Sequence, residues 1–130
     1  MSLYVTDAHA LIWYASGRTR KLGRRARAAY TAAEAGRAAI YVPALALVEV
    51  LECIARGELR PALPVGEWVR ALSDTGSFHF VPLTLEVAEA ARELHRIPER
   101  GDRLIAATAR VLGHPLLTRD PAIEGIDTVW

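Results

Sequence analysis

Short apolar runs, each stopped by a proline or an acid, alternate along this chain with stretches that have helical spacing. That alternation limits the fold more than any other feature. Residues 3–6 read as a strand closed by Asp7, and His9 to Ala15 as a short helix broken at Gly17. Residues 19–36, rich in Ala and Arg, read as one helix ending at Gly36. Ile40-Tyr41-Val42 is a second strand stopped by Pro43, and Ala44 to Arg56 a helix ended by Gly57. Pro61, Pro64 and Gly66 mark a loop before a helix over roughly 67–73. Phe78 to Val81 is a third strand stopped by Pro82, and Thr84 has the chemistry to cap a helix running to about His95. Pro98 and Gly101 precede a helix over 102–112, Gly113-His114-Pro115 turns into a strand at 116–118, and Thr128-Val129-Trp130 reads as a last short strand.

Strands separated by helices need crossover connections, so the pattern predicts a mainly parallel central sheet flanked by helices on both faces. With no repeat, linker or low-complexity tract in 130 residues, one domain over 1–130 is expected. A hydrophobic content of 52% is enough for a sizeable core. No apolar run approaches the ~18 residues of a membrane span, and no basic segment precedes an apolar one at the N-terminus, so no membrane association and a cytoplasmic location are expected. Cys53 is the one cysteine and, among Leu51, Ile54 and Ala55, reads as a small core residue. Gly-rich phosphate loops, serine elbows and paired-cysteine motifs are absent, which excludes nucleoside-triphosphatases, serine hydrolases and zinc ribbons.

Net charge is only +1, yet Arg18, Arg20, Lys21, Arg24, Arg25 and Arg27 form a run of cations uninterrupted by any acid. Such a run suits phosphates or an acidic protein surface, or is simply a solvated face.

In open α/β sheets the functional crevice lies at the carboxyl ends of the strands. Asp7 and Asp120 each follow a predicted strand, and Asp102 opens a predicted helix, so three acids fall at one end of the sheet. Each has an ordinary alternative: Asp7 as a helix cap, Asp102 as a favourable charge at a helix N-terminus, Asp120 as the opener of an Asp-Pro turn. On a helical wheel Leu47, Val48, Val50, Leu51 and Ile54 define the apolar face, which puts Glu49 nearly opposite and toward solvent, near Glu52 and Arg56. Glu99 is either an auxiliary ligand or a loop charge beside Arg100. Glu52 and Arg56 have the spacing of a surface ion pair. His9 reads as a structural residue or a support for a ligand, because His79, His95 and His114 offer no zinc-type spacing.

Three segments carry a family resemblance. Val5-Thr6-Asp7-Ala8-His9-Ala10-Leu11-Ile12-Trp13 resembles the opening of PIN-domain proteins, in particular the VapC-type toxins of prokaryotic toxin–antitoxin pairs. Val42-Pro43-Ala44-Leu45-Ala46-Leu47-Val48-Glu49-Val50 resembles their strand-to-helix segment with its internal glutamate. Gly101-Asp102-Arg103-Leu104-Ile105-Ala106-Ala107-Thr108-Ala109, followed by Pro115-Leu116-Leu117-Thr118-Arg119-Asp120, resembles their second half. The resemblance implies a PIN-like three-layer fold and an acidic pocket of Asp7, Glu49, Asp102 and Asp120 that binds Mg²⁺ or Mn²⁺. It implies RNA cleavage by metal-activated water, a small VapB-type antitoxin partner and a homodimer. Thr118, Glu99 and His9 would support the metal ligands, and Arg18, Arg20, Lys21, Arg24, Arg103 and Arg119 would meet RNA.

Two departures stand out. Many relatives carry a hydroxyl residue after the first aspartate, where this chain has Ala8. Their Asp-Pro-x-Asp pattern is replaced here by Glu99-Arg100-Gly101-Asp102. The alternative reading is therefore a catalytically decayed PIN fold acting as a binding module. A nuclease acting on DNA or flap structures ranks below it, since a chain this short offers little room for a duplex clamp.

Overall fold

The computed structural model describes residues 1–130. Strands β1 (Ser2–Thr6), β2 (Ala38–Pro43), β3 (Phe78–Val81), β4 (Leu116–Leu117) and β5 (Thr128–Val129) form one sheet in the order β3-β2-β1-β4-β5. Every neighbouring pair is parallel. Helices α1 (Ala8–Ala15), α2 (Arg24–Glu34), α3 (Ala44–Ala55), α4 (Val65–Asp74), α5 (Leu85–Glu93) and α6 (Arg100–Leu112) flank it. This is the α/β architecture that the alternation of runs predicts.

The β2 sequence Ala-Ala-Ile-Tyr-Val-Pro is apolar without alternation, as befits a parallel strand covered on both faces, and all of it but Tyr41 is buried. Val5, Leu11, Ile40, Ile105, Leu116 and Leu117 are almost wholly withdrawn from solvent. Each such aliphatic side chain contributes about 1.5–3 kcal/mol relative to exposure. The polar groups of this interior are paired. The Thr6 hydroxyl hydrogen-bonds the Tyr30 phenol, and no buried side-chain nitrogen or oxygen lacks a partner. Tyr30, Tyr14 and Phe78 also stack on one another as a cluster of three rings.

Strand order sets where a crevice opens. From β1 the chain builds β2 and β3 to one side, then returns to add β4 and β5 on the other. The carboxyl ends of β1 and β4 therefore lie side by side, with Thr6 opposite Leu117 and the Asp7 amide donating to the Leu117 carbonyl at 3.2 Å. Such a reversal point is where an open parallel sheet parts its flanking helices.

Three expectations need correction. The helix expected over 19–36 is two pieces, a 3₁₀ turn at Thr19–Lys21 and α2, parted at Leu22 and Gly23. A Cβ on Gly23 would lie 2.4 Å from the Trp130 ring, so a residue distant in sequence decides the break. Asp102 does not open its helix: α6 begins at Arg100, Glu99 holds the cap position, and Asp102 sits in the first turn. On α3 the expected apolar face fails, because Val48 and Leu51 are 42% and 41% exposed while Ala46 and Val50 are buried. No helix is long and apolar enough to cross a membrane.

Candidate active site

Asp7 is placed by two local interactions. Its backbone continues β1 beside β4, and its carboxylate oxygen Oδ1 accepts from the Ala10 amide at 2.8 Å, capping α1. The capping role and a place in the site are thus compatible. Asp120 behaves alike: Oδ1 accepts from the Ala122 amide at 2.9 Å, forming the turn expected before Pro121. Between them Thr118, 3% exposed, accepts from the Asp120 amide at 3.2 Å and favours the charged form of Asp7. Glu49 enters from α3 and Asp102 from α6, two helices that pack together.

All four acids line one cavity of about 630 Å³, whose wall also includes His9, Glu52, Cys53, Arg56, Glu99 and Arg100. Glu49 is half-buried and not directed to solvent, which corrects the reading from the helical wheel. Its neighbour across the cavity wall is Gly101, where an added Cβ would sit 2.7 Å from Glu49 Oε1. Glu99 belongs to the cavity and raises the cost of charging Asp102. Cys53, expected in the core, is half-buried at the cavity edge beside Arg56 and Glu58. Arg56 pairs more closely with Glu58, at 2.9 Å, than with the expected Glu52, at 3.9 Å.

A second cavity of about 350 Å³ shares Asp7, His9 and Asp120 and adds Trp13, Arg119, Pro121 and Trp130. The Arg119 guanidinium, which lines this cavity, lies 4.7 Å from the Trp13 ring centre, and Lys21, which lines neither acid-bearing cavity, lies 5.8 Å from the same ring. Arg18 lines a different, apolar cavity with Leu59, Leu63 and Trp68. Arg20 and Arg24 are exposed, Arg103 is half-buried, and none of the three lines either acid-bearing cavity. Sequence reasoning missed Arg100, Trp13 and Trp130. Arg100 was within reach, two residues before Asp102; the meeting of Trp13 with Trp130 has no local signature.

The acids perturb one another. Burial pushes Asp7 above the usual carboxylate range and Asp120 adds to the rise, while Thr118, the Ala10 amide and His9 pull it back. Glu49 is raised by burial, then by Asp102 and Asp7. Asp102 is pushed up to about 6 by burial, by the charges of Asp120 and Glu99, by a hydrogen bond with Asp120, and by Asp7. The ion pairs of the molecule join Arg56 to Glu52 and Glu58 and Arg110 to Glu93, so Asp7, Glu49, Glu99, Asp102 and Asp120 have no cation of their own.

A hard divalent cation fits this donor set, which offers carboxylate and hydroxyl oxygens with excess negative charge. No three His, Cys, Asp or Glu side chains are arranged to hold an ion as they stand. The fit is therefore to an ion held partly through water, which is how Mg²⁺ usually binds protein carboxylates.

A family model described as PIN domain matches residues 4–128 of the chain. Among solved structures, the chain resembles VapBC2 from Rickettsia felis bound to a DNA fragment from their promoter, with a TM-score of 0.67, 13% identity and 98% of each chain covered. It also resembles a toxin–antitoxin complex from Klebsiella pneumoniae, with a TM-score of 0.59, 22% identity, and 97% of this chain and 92% of that chain covered. FitAcB from Neisseria gonorrhoeae gives a TM-score of 0.56 at 17% identity, covering 92% of this chain and 88% of that chain. At these identities the likeness is one of fold. No curated protein matches the sequence.

Proposed function

The chain belongs to the PIN-domain family, and from that premise we propose that it is a divalent-metal-dependent endoribonuclease, the toxin of a VapBC-type toxin–antitoxin pair. The observation that carries the reading is the convergence of Asp7, Glu49, Asp102 and Asp120, from four separate segments, on one cavity in which none of them is ion-paired. A charge cluster of that kind costs stability unless a positive ligand offsets it.

Asp7, Asp102 and Asp120 would hold Mg²⁺ or Mn²⁺, directly or through water, with Glu49 completing the set or orienting the attacking water. When bound, the ion supplies positive charge against the phosphodiester and makes water more acidic. The chain's own residues do the rest. Thr118 holds the Asp120 backbone through its hydroxyl and favours the charged form of Asp7. Asp102, carrying a proton up to about pH 6 in the free protein, loses it where catalysis at neutral pH needs a full carboxylate. Arg100 and Arg119 border the acids and offset the repulsion that an acidic cavity exerts on RNA. His9 lines the same cavity and pulls Asp7 and Glu49 back toward the usual carboxylate range.

The partner and assembly belong to the same proposal. The structural neighbours include toxin–antitoxin complexes, which supports a VapB-type antitoxin for this chain, and a homodimer is the assembly we infer. One observation favours a second reading, a binding module on a decayed site: no three acids already surround a common point. The deciding experiment incubates purified protein and cellular RNA with Mg²⁺, with EDTA, and as the Asp102→Asn variant. Cleavage with Mg²⁺ alone is expected. Full activity in EDTA would remove the metal, and RNA binding without cutting in every arm would make the protein a binding module.

A further inference from the structure

The cavity next to the acids has a chemistry the acids do not explain. Trp13 and Trp130 meet edge-on, with ring centres 5.8 Å apart and planes at 67°. Trp13 is 7% exposed, whereas Trp130 is only half-buried and opens on a space of about 350 Å³. His9, exposed, is tilted toward Trp13 at 5.7 Å, and the exposed Arg119 lays its guanidinium over the Trp13 ring at 4.7 Å. Trp13 is buried, but Trp130 is only half-buried, and both line the cavity together with the planar guanidinium of the exposed Arg119.

We propose that Trp13, Trp130, His9 and Arg119 form a subsite for one unpaired nucleobase beside the phosphodiester that is cut. The location rests on the nuclease reading above. The stacking chemistry does not: indole rings and guanidinium planes are what proteins use to hold unstacked bases, largely regardless of sequence. The space is at the lower end of the range for small-ligand pockets, which suits a base better than a folded peptide. Asp7 and Asp120 line both cavities, so a nucleotide seated here by its base has its phosphate at the edge of the acid cluster. Lys21, 5.8 Å from the Trp13 ring, and Arg119 carry the positive charge for the flanking backbone. The seat is also built from behind, because Trp130 rests on Gly23 where no side chain fits.

The test uses binding, not turnover. In an Asp102→Asn, Trp68→Phe protein with Mg²⁺, only Trp13 and Trp130 report by fluorescence, since the chain has 3 tryptophans. A single-stranded RNA hexanucleotide should quench that fluorescence. The same oligomer with one internal abasic ribose should bind about tenfold more weakly. Trp130→Leu should cost about as much with intact RNA and much less with the abasic one. Because Trp130 packs on Gly23, the exposed variants His9→Ala and Arg119→Ala carry the argument should Trp130→Leu unfold. Both should weaken intact RNA more than abasic RNA. The subsite is overturned when His9→Ala and Arg119→Ala bind as tightly as their parent, or when intact and abasic RNA bind alike. Failure of the nuclease reading looks different: the protein with Asp102 restored leaves RNA uncut in Mg²⁺ while the base-dependent quenching persists, and the subsite stands.

Discussion

Asp102 holds its proton up to about pH 6 because it is enclosed and faces Asp120, Glu99 and Asp7. An aspartate raised in the folded state binds its proton more tightly there than in the unfolded chain. The folded form therefore loses stability as pH rises from the ordinary value of 3.8 toward 6, and stays at the lower level above it. Asp7 and Glu49 are raised as well and act in the same direction. Metal-free protein in EDTA should thus show a contribution that favours pH 5 over pH 7.5. Asp102→Asn should remove part of it, raising stability at pH 7.5 by on the order of 1 kcal/mol once solvent screening of this half-buried group is allowed for. Thermal melting in EDTA should register that as ~3–5 °C, alongside loss of RNA cleavage. A variant that melts no higher than wild type at pH 7.5 would show that the carboxylates are not in conflict. A more stable protein with less activity is the pattern of a site whose charges are arranged for a ligand.

Gly101 stands where α6 passes α3, with Glu49 Oε1 only 2.7 Å from the place of a missing Cβ. Replacing it by alanine favours the helix by up to ~1 kcal/mol and pushes the flexible Glu49 carboxylate aside. Gly101→Ala should therefore melt within a few degrees of wild type yet cut RNA about tenfold more slowly, on the scale of a displaced catalytic group. Unchanged cleavage would mean that the position of Glu49 does not matter. This meeting of two helices also marks the limit of what the sequence made legible. The strands were readable because Pro43, Pro82 and Asp7 stop apolar runs, and the acids after β1 and β4 because strand ends are local. Glu49 was not readable. Periodicity assumes one buried stripe, while α3 packs on α1 and α6 and leaves Val48 and Leu51 exposed. The break at Gly23 was hidden too, because the residue that enforces it, Trp130, is contiguous only in space. Exposed helix flanks beside a cavity and contacts between distant segments are what a helical wheel leaves out.

At the scale of the whole molecule, charge matters by placement and not by sum. A net charge of +1 would give little attraction for RNA if spread evenly. Instead the carboxylates of one cavity are left without ion pairs, Arg119 lines the adjoining aromatic cavity with Lys21 near its Trp13, and Arg18 of the same basic run faces an apolar cavity elsewhere. Each cation that meets a phosphate of a single strand releases counterions and contributes ~0.7 to the slope of log affinity against log salt. Replacing Lys21 and Arg119 together by alanine should lower that slope by ~1.4, because two such contacts are lost. Arg18→Ala and Arg70→Ala, on the apolar cavity and on α4, should leave it unchanged. The measurement is single-stranded RNA affinity across a salt series, using the Asp102→Asn protein so that substrate stays intact. Equal slopes for all variants would mean that RNA approaches from another face. Equal losses from Lys21, Arg119, Arg18 and Arg70 would mean that the molecule attracts RNA through its general field. A loss confined to Lys21 and Arg119 means that the cations beside the acids guide the strand, which is the arrangement an acidic cutting site needs in order to hold a polyanion at all.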